Sequence, residues 1–142
     1  MYVLTPPTAL CMCTWCSTMV GNSVPLTVIQ SDCFQVNASA LAPTEAEKFN
    51  VYLYDGEHRE EDQYLAFTHY EPALADVFVA IVDDWNWLEV EAGTRRAFAE
   101  LGFRVLWERD VKTEHNGNPE WWNGFYVALV AKPSAQLQST EL

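Results

Sequence analysis

Two short apolar segments, each ending abruptly in acidic residues, constrain the fold of this chain more than any other feature. Residues Phe49–Tyr54 and Val77–Val82 are rich in β-branched and aromatic side chains, which is typical of strands buried on both faces of a sheet. About twenty residues separate the two segments, which is enough for one crossover helix and too many for a hairpin. The spacing therefore predicts two neighbouring parallel strands of an α/β sheet.

Acidic residues follow both predicted strands at the point where each strand ends. Asp55 comes directly after the first strand and is followed closely by His58, while Asp83 and Asp84 come directly after the second. The carboxyl ends of parallel strands meet at one edge of a sheet, which is where open α/β sheets bind their ligands. We therefore expect these four side chains to lie close together and to form a site.

The three carboxylates are candidate metal ligands. Carboxylates in close proximity repel one another unless a cation or a shared proton separates them. Hard oxygen donors suit Mg²⁺, Mn²⁺ or Ca²⁺ better than zinc, so Asp55, Asp83 and Asp84 are the predicted metal-binding residues. Two structural alternatives stay open: Asp83 and Asp84 could cap the helix that follows them, and Asp55 could simply form a turn with Gly56.

The chain is strongly acidic, and its charge is concentrated around these predicted strand ends. The 142 residues carry a formal net charge of −12, and residues 55–91 contain a single basic residue, Arg59, among many acidic ones. Such a field repels nucleic acids and favours a cation, a cationic cofactor or a basic partner. The apolar segments are too short to span a membrane, and the amino terminus lacks the basic residues of a secretory signal. We therefore expect a cytoplasmic protein that binds neither nucleic acid nor a membrane.

The remaining pattern predicts one α/β domain at residues 24–132. An irregular segment at 1–23 precedes it and a polar tail at 133–142 follows it. The predicted order within the domain is strand, strand, helix, strand, helix, strand, strand, and the outer strands lie at 24–30, 103–107 and 125–131. This order predicts a parallel βαβαβ core completed by an antiparallel return strand.

The four cysteines do not form a convincing metal-binding pattern. Cys11, Cys13 and Cys16 make one loose cluster in an apolar stretch, and Cys33 follows at a distance. A zinc site usually presents its ligands as two spaced pairs. The spacing favours buried or free thiols, with a zinc site and a redox pair as the alternatives.

At this level of detail the chain resembles a known family. The segments Tyr52–His58, Glu60–Gln63 and Val79–Trp87 resemble the second half of class I S-adenosylmethionine-dependent methyltransferases. The nearest branch is that of the small-molecule, metal-assisted O-methyltransferases. The end of the chain, with Glu100–Val105 and then Gly124–Leu129, is similar to the terminal helix and reversed last strand of that fold. The resemblance covers the predicted domain.

The resemblance implies a fold, a cofactor and a set of site residues. The fold would be a truncated Rossmann-like sheet, mostly parallel with an antiparallel last strand. S-adenosylmethionine would be the cofactor, contacted by Asp32, Cys33 and Asp55, and Mg²⁺ would bind the hydroxyl groups of a small-molecule substrate. The implied catalytic residues are Asp55, Asp83 and His58, with His58 as the base that removes the hydroxyl proton.

The chain departs from this family in its amino-terminal portion. The family uses a glycine-rich loop to hold the cofactor, whereas this chain has no GxGxxG motif and only Gly21 among residues 1–23. Residues 14–22 are the candidate for a shortened remnant of that loop. Two hypotheses follow: a methyltransferase that acts alone or as a homo-oligomer, and a catalytically inactive relative that serves as an acidic protein-interaction module or inhibitor.

Overall fold

The chain forms an α/β domain around an open mixed sheet. The computed structural model describes residues 2–4, 9–12, 26–114 and 121–136. Within these residues the strands are β1 (Tyr2–Leu4), β2 (Ala9–Met12), β3 (Leu26–Val28), β4 (Phe49–Tyr54), β5 (Leu74–Asp83), β6 (Arg104–Val111) and β7 (Phe125–Ala131). The helices are α1 (Ala38–Leu41), α2 (Glu60–Tyr70) and α3 (Leu88–Glu100), and short 3₁₀ turns lie at Cys33–Gln35, Glu45–Glu47 and Glu71–Ala73.

The two central strands are parallel neighbours, as the sequence predicts. In the sheet order β3-β1-β2-β4-β5-β7-β6, β4 pairs in parallel with β5, and Tyr54 lies opposite Val82. Strand β7 runs antiparallel to both of its neighbours, β5 and β6. The sheet is therefore mixed, and the prediction of a mostly parallel sheet is wrong. The physical reason is that β1 also runs antiparallel to both of its neighbours, β2 and β3, so the antiparallel pairs outnumber the two parallel pairs, β2–β4 and β4–β5.

The crossover helix α2 connects β4 to β5 and has clear start and stop signals. Glu60, Glu61 and Asp62 occupy its first turn, where carboxylates interact favourably with the positive end of the helix dipole. The helix ends at Tyr70, and Pro72 lies in the 3₁₀ turn that follows, since proline cannot donate the hydrogen bond that would continue the helix. No helix within the described part of the chain is long and apolar enough to cross a membrane.

The core lies between the central strands and the two long helices. Phe67 of α2 packs edge-to-face against both Tyr52 of β4 and Phe98 of α3, with ring centroids 5.2 Å and 4.9 Å away. The Tyr52 hydroxyl donates to the carbonyl of Ala66 at 2.7 Å, so its buried polar atom is satisfied. Gly93 of α3 lies directly against the backbone of α2, which sets how closely the two helices approach.

The amino-terminal strands extend the sheet beyond β4. Strand β3 lies within the strand predicted at 24–30, but it forms the far edge of the sheet and pairs antiparallel with β1. Strands β1 and β2 lie in the segment for which we predicted irregular structure. Cys13 and all of residues 14–22, which include Cys16, fall outside the described residues, as does the side chain of Cys11. Cys33 is a half-buried free thiol whose pKa is raised by burial.

Strand β6 forms the opposite edge of the sheet. None of the described strands pairs with its outer side, and a register shift between Val105 and Trp107 marks a bulge in its pairing with β7. The side chains of Val105, Leu106 and Trp107 are exposed, Trp107 by 55%. The edge therefore combines apolar side chains with an irregular backbone.

Candidate functional site

Three carboxylates converge at the carboxyl edge of β4 and β5, as predicted. One oxygen atom from each of Asp55, Asp83 and Asp84 lies within 4.8 Å of the others, and all three residues are partly buried. The parallel register explains this convergence, because β4 and β5 end side by side and each continues directly into an acidic residue. We call these three residues the acidic cluster.

His58 joins the acidic cluster through Asp84. Its Nε2 atom lies 2.6 Å from Asp84 Oδ2, and an ionised carboxylate can only accept, so Nε2 carries the proton of this hydrogen bond. The imidazole also stacks on the indole of Trp87, with centroids 5.1 Å apart and planes inclined by 20°. The Asp84 carboxylate therefore selects the ring tautomer, and Trp87 helps to fix the ring orientation.

Asp84 has a second partner, Asn123, in the turn before β7. Asn123 Nδ2 donates to Asp84 Oδ1 at 2.8 Å, so both oxygens of this carboxylate are engaged. Asp84 and Asn123 both have left-handed backbones, with φ of 56° and 58°, a conformation that Asp and Asn adopt more readily than most residues. The two turns thus present their side chains to each other in a defined geometry.

Backbone contacts hold these two turns together. The amide of Trp85 donates to the carbonyl of Gly124 at 3.3 Å, and that of Asn86 donates to the carbonyl of Asn123 at 2.7 Å. The Asn86 side chain exchanges hydrogen bonds with the backbone of Thr113, at 2.8 Å and 3.1 Å. The acidic cluster therefore lies on turns that are joined to each other and to Thr113 by hydrogen bonds.

The contacts of Asp83 and Asp84 differ from those of helix-capping residues. Trp87 occupies the cap position of α3, and no side chain caps this helix. Asp83 Oδ1 instead accepts a hydrogen bond from Trp121 Nε1 at 2.8 Å. The capping alternative is therefore wrong, because both carboxylates contact residues far away in the sequence.

Asp55 is the least engaged member of the acidic cluster. It accepts no side-chain hydrogen bond within the described residues, and it is partly buried. Burial, followed by repulsion from Asp83 and Asp84, raises the pKa of Asp55, while the nearby His58 opposes this shift. A carboxylate with unused lone pairs and two charged neighbours is well suited to bind a cation.

The donor set of the acidic cluster fits a hard divalent cation. Two oxygens on opposite sides of one ion are separated by about 4.2 Å for Mg²⁺ and by about 5 Å for Ca²⁺. The separations in the cluster, at most 4.8 Å, lie in this range. Asp55 and the Oδ2 atom of Asp83 accept no side-chain hydrogen bond from the described residues and are available as direct ligands, and Asp84 has lone pairs left beside its two hydrogen bonds.

The predicted cofactor-binding residues Asp32 and Cys33 do not belong to the acidic cluster. Asp32 Oδ1 accepts a hydrogen bond from the amide of Phe34 at 3.0 Å and caps the 3₁₀ turn at Cys33–Gln35. The carbonyl of Cys33 accepts from the hydroxyl of Tyr70. These contacts give both residues structural roles, and they leave the Oδ2 atom of the exposed Asp32 without a hydrogen bond in the described part of the chain.

The sequence did not identify Asn123 and Trp121 as partners of the acidic residues. Both lie almost forty positions from the carboxylates that they contact, and only the Asn123-Gly124 turn signal marks this region in the sequence. Trp85, in contrast, is fully buried and stacks on Tyr126 at 4.2 Å, so it belongs to the core. Comparison of the chain with protein-family models, curated proteins and solved structures finds no match.

Proposed function

We propose that this domain is an S-adenosylmethionine-dependent methyltransferase that acts on a hydroxyl group of a small molecule, with a divalent cation such as Mg²⁺ at the acidic cluster. The convergence of Asp55, Asp83 and Asp84, with His58 bonded to Asp84, is the observation that carries the proposal. The position of β7, reversed between β5 and β6, supports the resemblance to the methyltransferase fold.

The proposal gives the cofactor-binding residues defined tasks. Bound S-adenosylmethionine supplies an electrophilic methyl group on a sulfonium centre. Asp55 lies at the carboxyl end of β4, at the sheet edge where such ligands bind. The free Oδ2 of Asp32 can accept a hydrogen bond from a hydroxyl or amino group of the cofactor, and the half-buried Cys33 offers a small apolar contact beside it.

The acidic cluster and His58 account for the proton. Asp55, Asp83 and Asp84 would hold a cation that binds the substrate hydroxyl and lowers its pKa. Asp84 holds the Nε2–H of His58, which leaves Nδ1 as the basic nitrogen. Nδ1 faces away from Asp84, so a hydroxyl that reaches His58 from that side would give its proton to Nδ1, and Asp84 would stabilise the imidazolium that forms. The chemistry that S-adenosylmethionine would supply is transfer of its methyl group to that oxygen with release of the sulfur as a thioether, which is chiefly a matter of positioning.

A second function is favoured by one specific observation. Both oxygens of Asp84 and one oxygen of Asp83 already accept hydrogen bonds from the chain itself. In a catalytically inactive relative, these contacts alone would explain the positions of Asp83 and Asp84. The chain, which has a net charge of −12, would then act as an acidic module that binds a basic protein.

Calorimetric titration with S-adenosylmethionine and S-adenosylhomocysteine, with and without Mg²⁺, distinguishes the two functions. The methyltransferase proposal predicts micromolar binding that is lost in Asp32→Ala. The effect of Mg²⁺ should be lost in Asp55→Asn and retained in Asp110→Asn, a matched variant on the exposed strand β6. No detectable heat at millimolar concentrations of either ligand would contradict an enzymatic function and favour the interaction module.

A further inference from the structure

A cleft of about 250 Å³ is connected to the acidic cluster through His58, which lines the cleft. His58 lines this cleft and also contacts Asp84, so a ligand in the cleft would lie next to the cluster. The other lining residues come from the loop before α2 and the start of α3. The cleft is lined by Glu57, His58, Arg59, Glu60, Trp87 and Glu89.

Trp87 gives this cleft an exposed aromatic surface. Trp87 as a whole residue is 46% exposed, although the imidazole of His58 stacks on one face of its indole. Most of the exposed surface must therefore belong to the opposite face and the ring edge. An indole face attracts organic cations more strongly than any other side-chain ring, through its quadrupole.

The charges of the cleft favour the same kind of ligand. Glu60 is paired with Arg96 at 2.8 Å, whereas Glu57 and Glu89 have no ion pair within the described residues. Arg59 is the one cationic side chain in the lining. Negative charges therefore predominate in the lining, and they would repel an anionic ligand. A neutral apolar ligand would remove water from the carboxylates without replacing the hydrogen bonds that the water made.

We propose that this cleft binds an organic cation, namely an ammonium or quaternary ammonium group, against the face of Trp87 and beside the carboxylates of Glu57 and Glu89. Its volume is below the roughly 300–1,000 Å³ of pockets that enclose whole drug-sized ligands, so it suits one cationic end of a molecule. The identity of the substrate rests on the proposed methyltransferase function. If that function holds, the substrate carries an amine at one end and the reacting hydroxyl at the other.

Choline and its neutral isostere 3,3-dimethylbutan-1-ol test the proposal directly. Each is titrated into the full chain in a chelating buffer without S-adenosylmethionine, and binding is followed by the NMR signals of the tryptophan indoles. We expect saturable binding of choline, with the neutral isostere at least about tenfold weaker. Trp87→Ala should abolish the preference and Trp87→Phe should retain part of it. Trp122→Ala should change nothing, because Trp122 is exposed and lies outside the cleft.

The carboxylates provide a second measurement. Glu57→Gln and Glu89→Gln should each weaken choline binding several-fold and reduce its dependence on salt, because each removes one negative charge near the ligand. Equal binding of choline and its isostere, or no saturable binding of choline at millimolar concentrations, would overturn the proposal. So would choline binding that is lost in Asp55→Asn and unchanged in Trp87→Ala, since the cation would then occupy the acidic cluster. The choline titrations contain neither S-adenosylmethionine nor a divalent metal. A failure of choline to bind is therefore a separate result from a failure of the methyltransferase proposal.

Discussion

The Asp55→Asn substitution tests the charge of the acidic cluster. It removes no hydrogen bond within the described residues, because the Asp55 side chain makes none there. One oxygen of Asp55 lies within 4.8 Å of an oxygen from each of Asp83 and Asp84. Two unit charges at this separation repel by about 0.9 kcal/mol with the dielectric constant of water and by about 3.5 kcal/mol with an effective value of 20. The asparagine amide keeps the shape of the side chain and removes both repulsions.

We expect Asp55→Asn to raise the free energy of unfolding by about 2 kcal/mol when divalent cations are absent. The expected gain lies near the lower limit of the summed repulsion of Asp55 with Asp83 and Asp84. We choose the lower limit because Asp55 is only partly buried and because His58 attracts its carboxylate. For a domain of this size such a gain corresponds to an increase in Tm of roughly 6 °C. Circular dichroism during thermal and urea denaturation, at neutral pH in a chelating buffer, measures both quantities.

Addition of Mg²⁺ or Mn²⁺ should reverse the order of stabilities. A cation at one hundred times its Kd stabilises the folded state by about 2.7 kcal/mol, and the wild-type chain should gain this stability while Asp55→Asn gains little. The control Asp110→Asn removes a carboxylate on exposed β6 and should shift stability by less than about 0.5 kcal/mol in either buffer. A loss of stability in Asp55→Asn without cations would refute the reasoning, since Asp55 would then make a net stabilising interaction.

Two further substitutions test the supporting structure. Gly93→Ala places a methyl group against the backbone carbonyl of Glu60, so it should destabilise the domain by about 3 kcal/mol through helix separation; an unchanged urea midpoint would contradict this packing. Hydrogen bonds from Tyr126 and Arg95 lower the pKa of Glu108, and the resulting stability is present at neutral pH and lost as the pH falls through that lowered pKa. Glu108→Gln should therefore cost about 0.5 kcal/mol at pH 7, and its difference from wild type should disappear in acid; a difference independent of pH would argue against it.

The sequence predicted the central strands and the acidic cluster because both depend on local patterns. Val77–Val82 is apolar along its whole length and Phe49–Tyr54 is apolar except at Asn50, a pattern typical of strands that are covered on both sides. Once these strands are parallel neighbours, the chain geometry alone brings Asp55 close to Asp83 and Asp84. Here one correct inference about topology was enough to place three side chains.

The other parts of the site depend on contacts between distant segments, which local patterns do not specify. Nothing in the residues around Asn123 indicates that its side chain binds Asp84, because that contact requires β7 to lie beside β5. The position of β7 is itself a choice among several strand orders with the same local sequence pattern. Asp32 is a different case, because its carboxylate caps the turn that directly follows it, and a contact over two residues is one that a local pattern can specify.

The edge of the sheet at β6, whose outer side pairs with none of the described strands, has a consequence for how the protein behaves at high concentration. An unpaired strand with exposed apolar side chains is a template for strand addition and aggregation, and β6 carries Trp107 at such an edge. The bulge before Trp107 interrupts regular pairing, and Glu108, Arg109 and Asp110 follow it. If two copies aligned antiparallel about any one of these three residues, like charges would lie opposite each other. The edge therefore resists the growth of sheets between molecules, and a variant with these three charges neutralised should precipitate where the wild-type chain stays dissolved.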